Sequence, residues 1–186
     1  RLELGFGAGH NQAEFEAAGI PYDPPGARID RLEQAVSRVR RLLAGEGDLP
    51  TAQERVPFMV GGNGDRVLAL AAAEADIVGL TGFNSGTGRT HKNLSHFTWA
   101  GLADRIDHVR RRAGDRFDGL ELSVLVQLVE VTDDRRAAAE RFAEGVLDPD
   151  MLLDSPFMLL GTRSALADQL ARLRDAGVSY VTCFDS

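Results

Sequence analysis

Cysteine is nearly absent from this chain: Cys183 is the only one in 186 residues. No internal disulfide can form, and a structural zinc site of several thiolates is excluded. Lysine is as scarce, since Lys92 stands alone and the other 20 of the 21 basic residues are Arg. Against 28 acidic side chains they leave a formal net charge of −7. The arginines are scattered beside acids along helical stretches rather than clustered, so neither a nucleic acid nor a membrane is expected as a partner. No apolar run approaches the roughly 18 residues of a membrane helix, and a cytoplasmic protein is expected. The chain opens at Arg1 inside a strand-like apolar run, Leu2, Leu4 and Phe6, which reads as the middle of something longer.

With 44% hydrophobic and 26% charged residues, what is present reads as one soluble α/β domain able to bury a core. Residues 11–18 are helix-compatible, and the segment GIPYDPPG at 19–26 then interrupts with three prolines and two glycines. Over residues 27–44 the apolar positions Ile29, Leu32, Val36, Val39 and Leu43 step by three and four, the stripe of an amphipathic helix. PFMVGG at 57–62 reads as a buried parallel strand, followed by a helix over 65–75 and a second strand in ADIVGL. Strand, helix and strand in so few residues make a βαβ unit. Beyond a polar loop over 81–98, the pattern predicts a helix over 99–113, a strand over 120–131 and a helix over 133–144. An irregular stretch over 145–161, a helix over 163–176 and a last strand in VSYVTCF complete five strands alternating with helices.

Two glycine clusters follow strands. Glu3, Gly5, Gly7 and Gly9 have the spacing of an S-adenosylmethionine loop, but the second parallel strand of that site would fall on GIPYDPPG, where prolines forbid it. A dinucleotide fingerprint fails too, because its third glycine would be His10. The cluster GGNGDR at 61–66 lies between a strand and a helix, so its free N–H groups and the positive helix end converge as they do in an anion site. It lacks the Lys-Ser/Thr pair of a P-loop. A tight βα turn with no ligand is the alternative reading. The segment GLTGFNSGTG at 79–88 follows the next strand and brings more backbone amides to the same rim.

Other candidates carry less. His91 and His96 are five apart, on different faces of any helix, and no carboxylates complete a metal site, so no metal is expected. Ser85 lacks the glycine spacing of a nucleophile elbow. Phe97 and Trp99 read as anchors of the 81–98 loop, which is long and glycine-containing like a lid over a barrel mouth. Cys183 among apolar neighbours reads as a buried, inert thiol.

Taken in order, RLELGFGAG, EFEAAGIPYDPPGARIDRLEQAV, PFMVGGNGDRVLALAAAEADIVGLTGF and LARLRDAGVSYVTCF resemble the luciferase-like monooxygenase superfamily, in its branch of oxidoreductases that use the deazaflavin coenzyme F420. The resemblance runs over essentially the whole chain. It implies a partial (β/α)8 TIM barrel, strands four to eight, with residues 1–186 as a single, incomplete domain. It also implies hydride transfer to or from a small-molecule substrate, with F420 as cofactor and FMN as the alternative. A barrel that binds a phosphorylated ligand without redox chemistry would use the same glycine rim. On the family pattern Gly7, Ala8 and Gly9 come to the catalytic rim on the fourth strand. The cofactor's phosphate tail is held by backbone amides matching Gly61, Gly62, Asn63 and Gly64, then Gly79, Leu80 and Thr81. His10 falls beside the ring as a proton donor or substrate wall. Family groups on the first three strands have no counterpart here. The isolated chain is expected to aggregate or to form a homodimer through its exposed strand edges.

Overall fold

The computed structural model of the chain describes residues 2–46, 53–85 and 92–183. Strand β1 (Leu4–Phe6) leads through the first glycine cluster to a one-and-a-half-turn helix α1 (Gln12–Ala17), which buries none of its residues. Helix α2 (Pro25–Leu43) starts two residues earlier than its apolar stripe suggests, because Pro25 at the first helical position already has the required φ and lacks an N–H to satisfy. Its stripe buries Leu32 and Val36 against the core. The buried Arg28 donates to the Asp23 carbonyl at 2.6 Å and lies over the Tyr22 ring, which fixes the proline-rich entry.

The βαβ unit forms as expected: β2 (Phe58–Gly62), α3 (Asp65–Glu74) and β3 (Ile77–Leu80). Alanines 71, 72 and 75 are fully buried, so α3 lies close to the sheet with no side chain to hold it off. After β3 the chain makes two short antiparallel strands, β4 (Asn84–Ser85) and β5 (Lys92–Asn93), and enters α4 (Trp99–Ala113), capped by the Thr98 hydroxyl on the Gly101 N–H. The residues between those two strands, His91 among them, lie outside the described residues. A 3-10 turn (Gly114–Gly119) carries Arg116, which donates to the Ala72 and Ala75 carbonyls and so covers the C-terminal end of α3.

The expected single strand over 120–131 is two. β6 (Glu121–Val126) stays in the main sheet and β7 (Leu128–Val131) leaves it at Gln127, whose N–H turns to the Phe157 carbonyl at 2.8 Å. The stretch read as irregular supplies the reason. After α5 (Arg135–Ala143) it contains α6 (Pro149–Leu153) and β8 (Met158–Gly161), and β8 pairs in parallel with β7. All four β8 residues are buried. So short an apolar run carries no periodicity by which to recognise it. Helix α7 (Arg163–Asp175) and β9 (Tyr180–Cys183) end the described chain.

The five strands foreseen form one parallel sheet in the order β1-β2-β3-β6-β9, and the sheet curls as half of a barrel. Two long side chains on the concave face span between the edge strands: the Tyr180 hydroxyl on β9 reaches Glu3, just before β1, at 3.4 Å. Alternation puts Val60, Val78, Leu80, Leu122, Val124 and Val126 under the helices. Gly7, Gly61, Gly79, Ser123 and Tyr180 share the concave face. Cys183 departs from expectation, because it is exposed and no described element covers this end of β9.

Candidate functional site

The strands all deliver their C-terminal ends to one rim, where α/β barrels carry their chemistry. On the concave side of that rim three neighbouring strands present bare backbone. Gly61 pairs with Gly79, and a Cβ on Gly79 would lie 3.1 Å from the Gly61 Cα. A Cβ on Gly7 would lie 3.7 Å from the Gly61 carbonyl oxygen. The result is a glycine shelf, a run of three positions with no side chains of their own, bordered by Met59, whose Sδ lies 3.6 Å from where a Gly79 Cβ would stand.

Beside the shelf stands the N-terminus of α3. Five of the other helices, α1, α4, α5, α6 and α7, have a side-chain oxygen accepting from a first-turn N–H. At α3 the N-cap is Gly64, and no side chain does this. Its first-turn N–H groups therefore remain available, and the helix end is positive. Gly61 and Gly62 lie within β2 and pair with Gly79 and Leu80, so the unpaired amides centre on Asn63 and the start of α3. Gly62 has a further reason to be glycine: a Cβ there would meet Val67 Cγ1 at 2.7 Å. Leu80 is fully buried on the helix side, and the Thr81 hydroxyl donates to the Phe83 carbonyl at 3.2 Å.

The first glycine cluster is placed differently. Ala8 packs partly against the core, and Gly9 adopts φ 72° over the Phe15 ring. His10 is exposed, with its carbonyl accepting from the Tyr22 hydroxyl at 3.1 Å. Among the described residues no group of His, Cys, Asp and Glu could hold a metal.

Sequence reasoning missed the network behind the cradle. Asn63 is 2% exposed, and its side-chain amide donates to Nδ1 of His96 at 2.9 Å. Arg105 on α4 donates to the Asn63 carbonyl at 3.4 Å and to Asp65 at 2.6 Å, and it also pairs with Asp104. These hydrogen bonds hold the Asp65 and Asp104 carboxyls below their ordinary range. The buried His108 sets Nε2 3.3 Å from the Asp65 carbonyl, which can only accept, so that nitrogen carries the proton. Burial, and then the positive charge of Arg105, push the His96 imidazole below its usual value, so it is neutral at pH 7. One arginine thus occupies both acids flanking the cradle, leaving the helix N–H groups without a local carboxylate competitor. The signal available in the sequence was negative: Gly64 stands where a helix normally has Ser, Thr, Asp or Asn.

The comparisons agree with this architecture. A family model described as luciferase-like monooxygenase matches residues 1–151. Among solved structures, an F420-dependent secondary alcohol dehydrogenase in complex with an F420-acetone adduct is similar at TM-score 0.69 and 17% identity, over 98% of this chain and 63% of that one. The coenzyme F420-dependent tetrahydromethanopterin reductase from Methanopyrus kandleri gives TM-score 0.62 and 16% identity, over 96% and 67% of the two chains. A long-chain alkane monooxygenase gives 0.59 and 14%, over 95% and 56%. The chain therefore spans a little under two thirds of the first of these. No curated protein sequence matches it. Among the described residues no helix is long and apolar enough to cross a membrane.

Proposed function

The chain belongs to the luciferase-like monooxygenase family, and from that premise we propose that its protein is an F420-dependent oxidoreductase that transfers hydride to or from a small organic substrate. The observation that carries the reading is the pairing of an uncapped α3 N-terminus with the adjoining glycine shelf. A phosphate-bearing, planar-ringed cofactor needs both features, and they fit it: any side chain at Gly79 would crowd the shelf, and a side-chain cap at position 64 would compete for the N–H groups. When bound, the deazaflavin supplies the hydride acceptor or donor. The residues of this chain supply the rest. Asn63, Gly64 and the first turn of α3 hold the phosphate, and Gly7, Gly61 and Gly79 let the ring approach the backbone. Arg105 keeps Asp65 and Asp104 engaged away from the anion. His10, exposed after β1, is proposed as the side chain that bounds the substrate space. The first three barrel strands would complete the site, and their side chains would choose the substrate.

The likeness to an alkane monooxygenase supports a second reading, oxygenation, for which FMN is the alternative cofactor. Titrating the protein separately with F420 and FMN, followed by cofactor absorbance and fluorescence, tests the choice. Binding of F420 at least about tenfold tighter, about 1.4 kcal/mol, is expected. Tighter FMN binding would favour the second reading. Binding of neither, with retained affinity for inorganic phosphate, would favour a barrel without redox chemistry.

A further inference from the structure

The corner between β2 and α3 has glycine on both sides of Asn63, so its neighbours offer no side chain to restrain it. Asn63 has the one side chain in the corner, and the residue is held at two points, beside the Arg105 and His108 bonds that hold Asp65 at the start of α3. The Asn63 carbonyl accepts from Arg105, and its side-chain amide donates to Nδ1 of His96. The second bond requires His96 to carry its proton on Nε2. That nitrogen faces the Asp104 carboxylate at 3.8 Å, which favours this tautomer. Oδ1 of Asn63 is buried with no partner among the described residues, so the bond to His96 is the one hydrogen bond that orients this amide.

The imidazole is itself held in place by its surroundings. The backbone of His96 lies directly on α4 because residue 101 is glycine: a Cβ there would fall 2.3 Å from the His96 Cα. The next residue, Phe97, stacks on Phe157 at 5.1 Å, and its carbonyl accepts from the buried Ser155 hydroxyl at 2.7 Å. A loop end that merely had to pass by would not need backbone contact, ring stacking and a buried hydrogen bond within two residues. Restraint of this kind is what a supporting group for a binding site requires.

We propose that His96 is a positioning residue for the anion cradle: through Asn63 it fixes the β2–α3 corner, so that the N–H groups opening α3 converge before any anion arrives. This rests on the reading of that cradle as the phosphate end of the cofactor site. His96 does not touch the anion. Without its acceptor the Asn63 amide is free to turn, the glycine-flanked corner loosens, and binding must then order it.

The test measures the affinity of the protein for F420 and for inorganic phosphate by calorimetry, together with the NMR shifts of the backbone amides of residues 63–67. His96→Leu, which keeps bulk but offers no acceptor, is expected to weaken both ligands by roughly fivefold, the scale of ordering a freed segment. His96→Asn, whose side-chain oxygen can stand near the Nδ1 position, should restore affinity to within about twofold. Asn63→Ala should match His96→Leu, and the double variant should be no weaker than either single one. Should His96→Leu fail to fold, the nitrogen spectrum of the wild-type imidazole decides, with the Nε2–H tautomer and a hydrogen-bonded Nδ1 expected. Equal affinity in the wild type and His96→Leu, or a neutral ring protonated on Nδ1, overturns the inference and leaves the cradle standing. If neither ligand binds the wild type or shifts amides 63–67, the cradle reading falls and the inference with it.

Discussion

Two glycine-rich corners of this molecule look alike in sequence and differ in nearly everything else. Each follows a parallel strand and precedes a helix. After β1, the helix is six residues long, buries nothing, and has its N–H groups capped by Asn11, whose Oδ1 accepts from Ala13 at 3.1 Å. After β2, the helix has ten residues, four of them buried, and no side-chain cap at all. The first corner is glycine-rich because its backbone turns with positive φ at Gly9, and the second because Gly62 lies against Val67 and Gly61 against a neighbouring strand. A helix end is useful to an anion only where its N–H groups are free and its position is enforced. The second corner meets both conditions, and the first meets neither.

The sharpest way to break this contrast is to place valine in both corners. Gly62→Val should cost about 1–3 kcal/mol, because the stiff Val67 side chain at 2.7 Å cannot yield without shifting α3. Its thermal midpoint should fall by roughly 2–4 °C for each kcal/mol lost. A Cβ on Gly7, the first glycine after β1, would meet only the Gly61 carbonyl oxygen at an ordinary 3.7 Å, so Gly7→Val should leave the midpoint near wild type. Equal losses at the two sites would mean that burial does not separate them.

Next in size is Arg105→Met. It frees the Asp65 and Asp104 carboxylates beside the cradle and removes the donor to the Asn63 carbonyl. F420 affinity should fall about tenfold, or about 1.4 kcal/mol. An unchanged dissociation constant would show that the anion does not sense these acids.

A smaller effect should appear in the pH dependence of stability. His96 has a folded pKa below its unfolded value of about 6.5, so just below that value the unfolded state binds more protons than the folded one. Stability should therefore drop as pH falls from about 6.5 towards the lower folded value, and His96→Asn should flatten that part of the curve. Asp65 and Asp104, depressed by Arg105, act in the same direction but at lower pH, losing their contribution below the ordinary carboxylate range. Denaturant titrations from about pH 2 to about pH 8, set about these reference values, would resolve the two windows. A stability that rises on acidification through about 6.5 would contradict the partly buried, neutral imidazole.

The smallest effect is expected at the first corner. Asn11→Ala removes the α1 cap, and because α1 buries nothing the loss should stay local. Hydrogen exchange over residues 12–17 should quicken while the global midpoint and the F420 affinity hold. A fall in either would give the first corner a share in the site.

Much of the architecture was legible because it rests on local rules. The α3 start at Asp65, a strand within ADIVGL and the α4 limits follow from periodicity and glycine placement. The break at Gln127 was not legible, because LSVLVQLVEV alternates without a visible stop and only the pairing of β7 with β8 interrupts it. The cradle could be placed at GGNGDR, but its supports could not. His96 looked like half of a failed metal pair, and Arg105 like one of the arginines scattered beside acids along a helix. Cys183 was misjudged for a related reason: apolar neighbours along a strand do not say whether anything covers it.

By itself, then, the sequence determined where glycine interrupts the chain, that a glycine-flanked turn opens α3, and that strands alternate with helices. Those are properties of a residue and its near neighbours. The tertiary structure decided which of two similar corners becomes a buried, reinforced one. Asn63 meets His96 across 33 residues and Arg105 across 42, and such pairs exist only because α3 packs against α4. The tautomer of an imidazole and the orientation of an amide are fixed by those neighbours, and no local pattern encodes them.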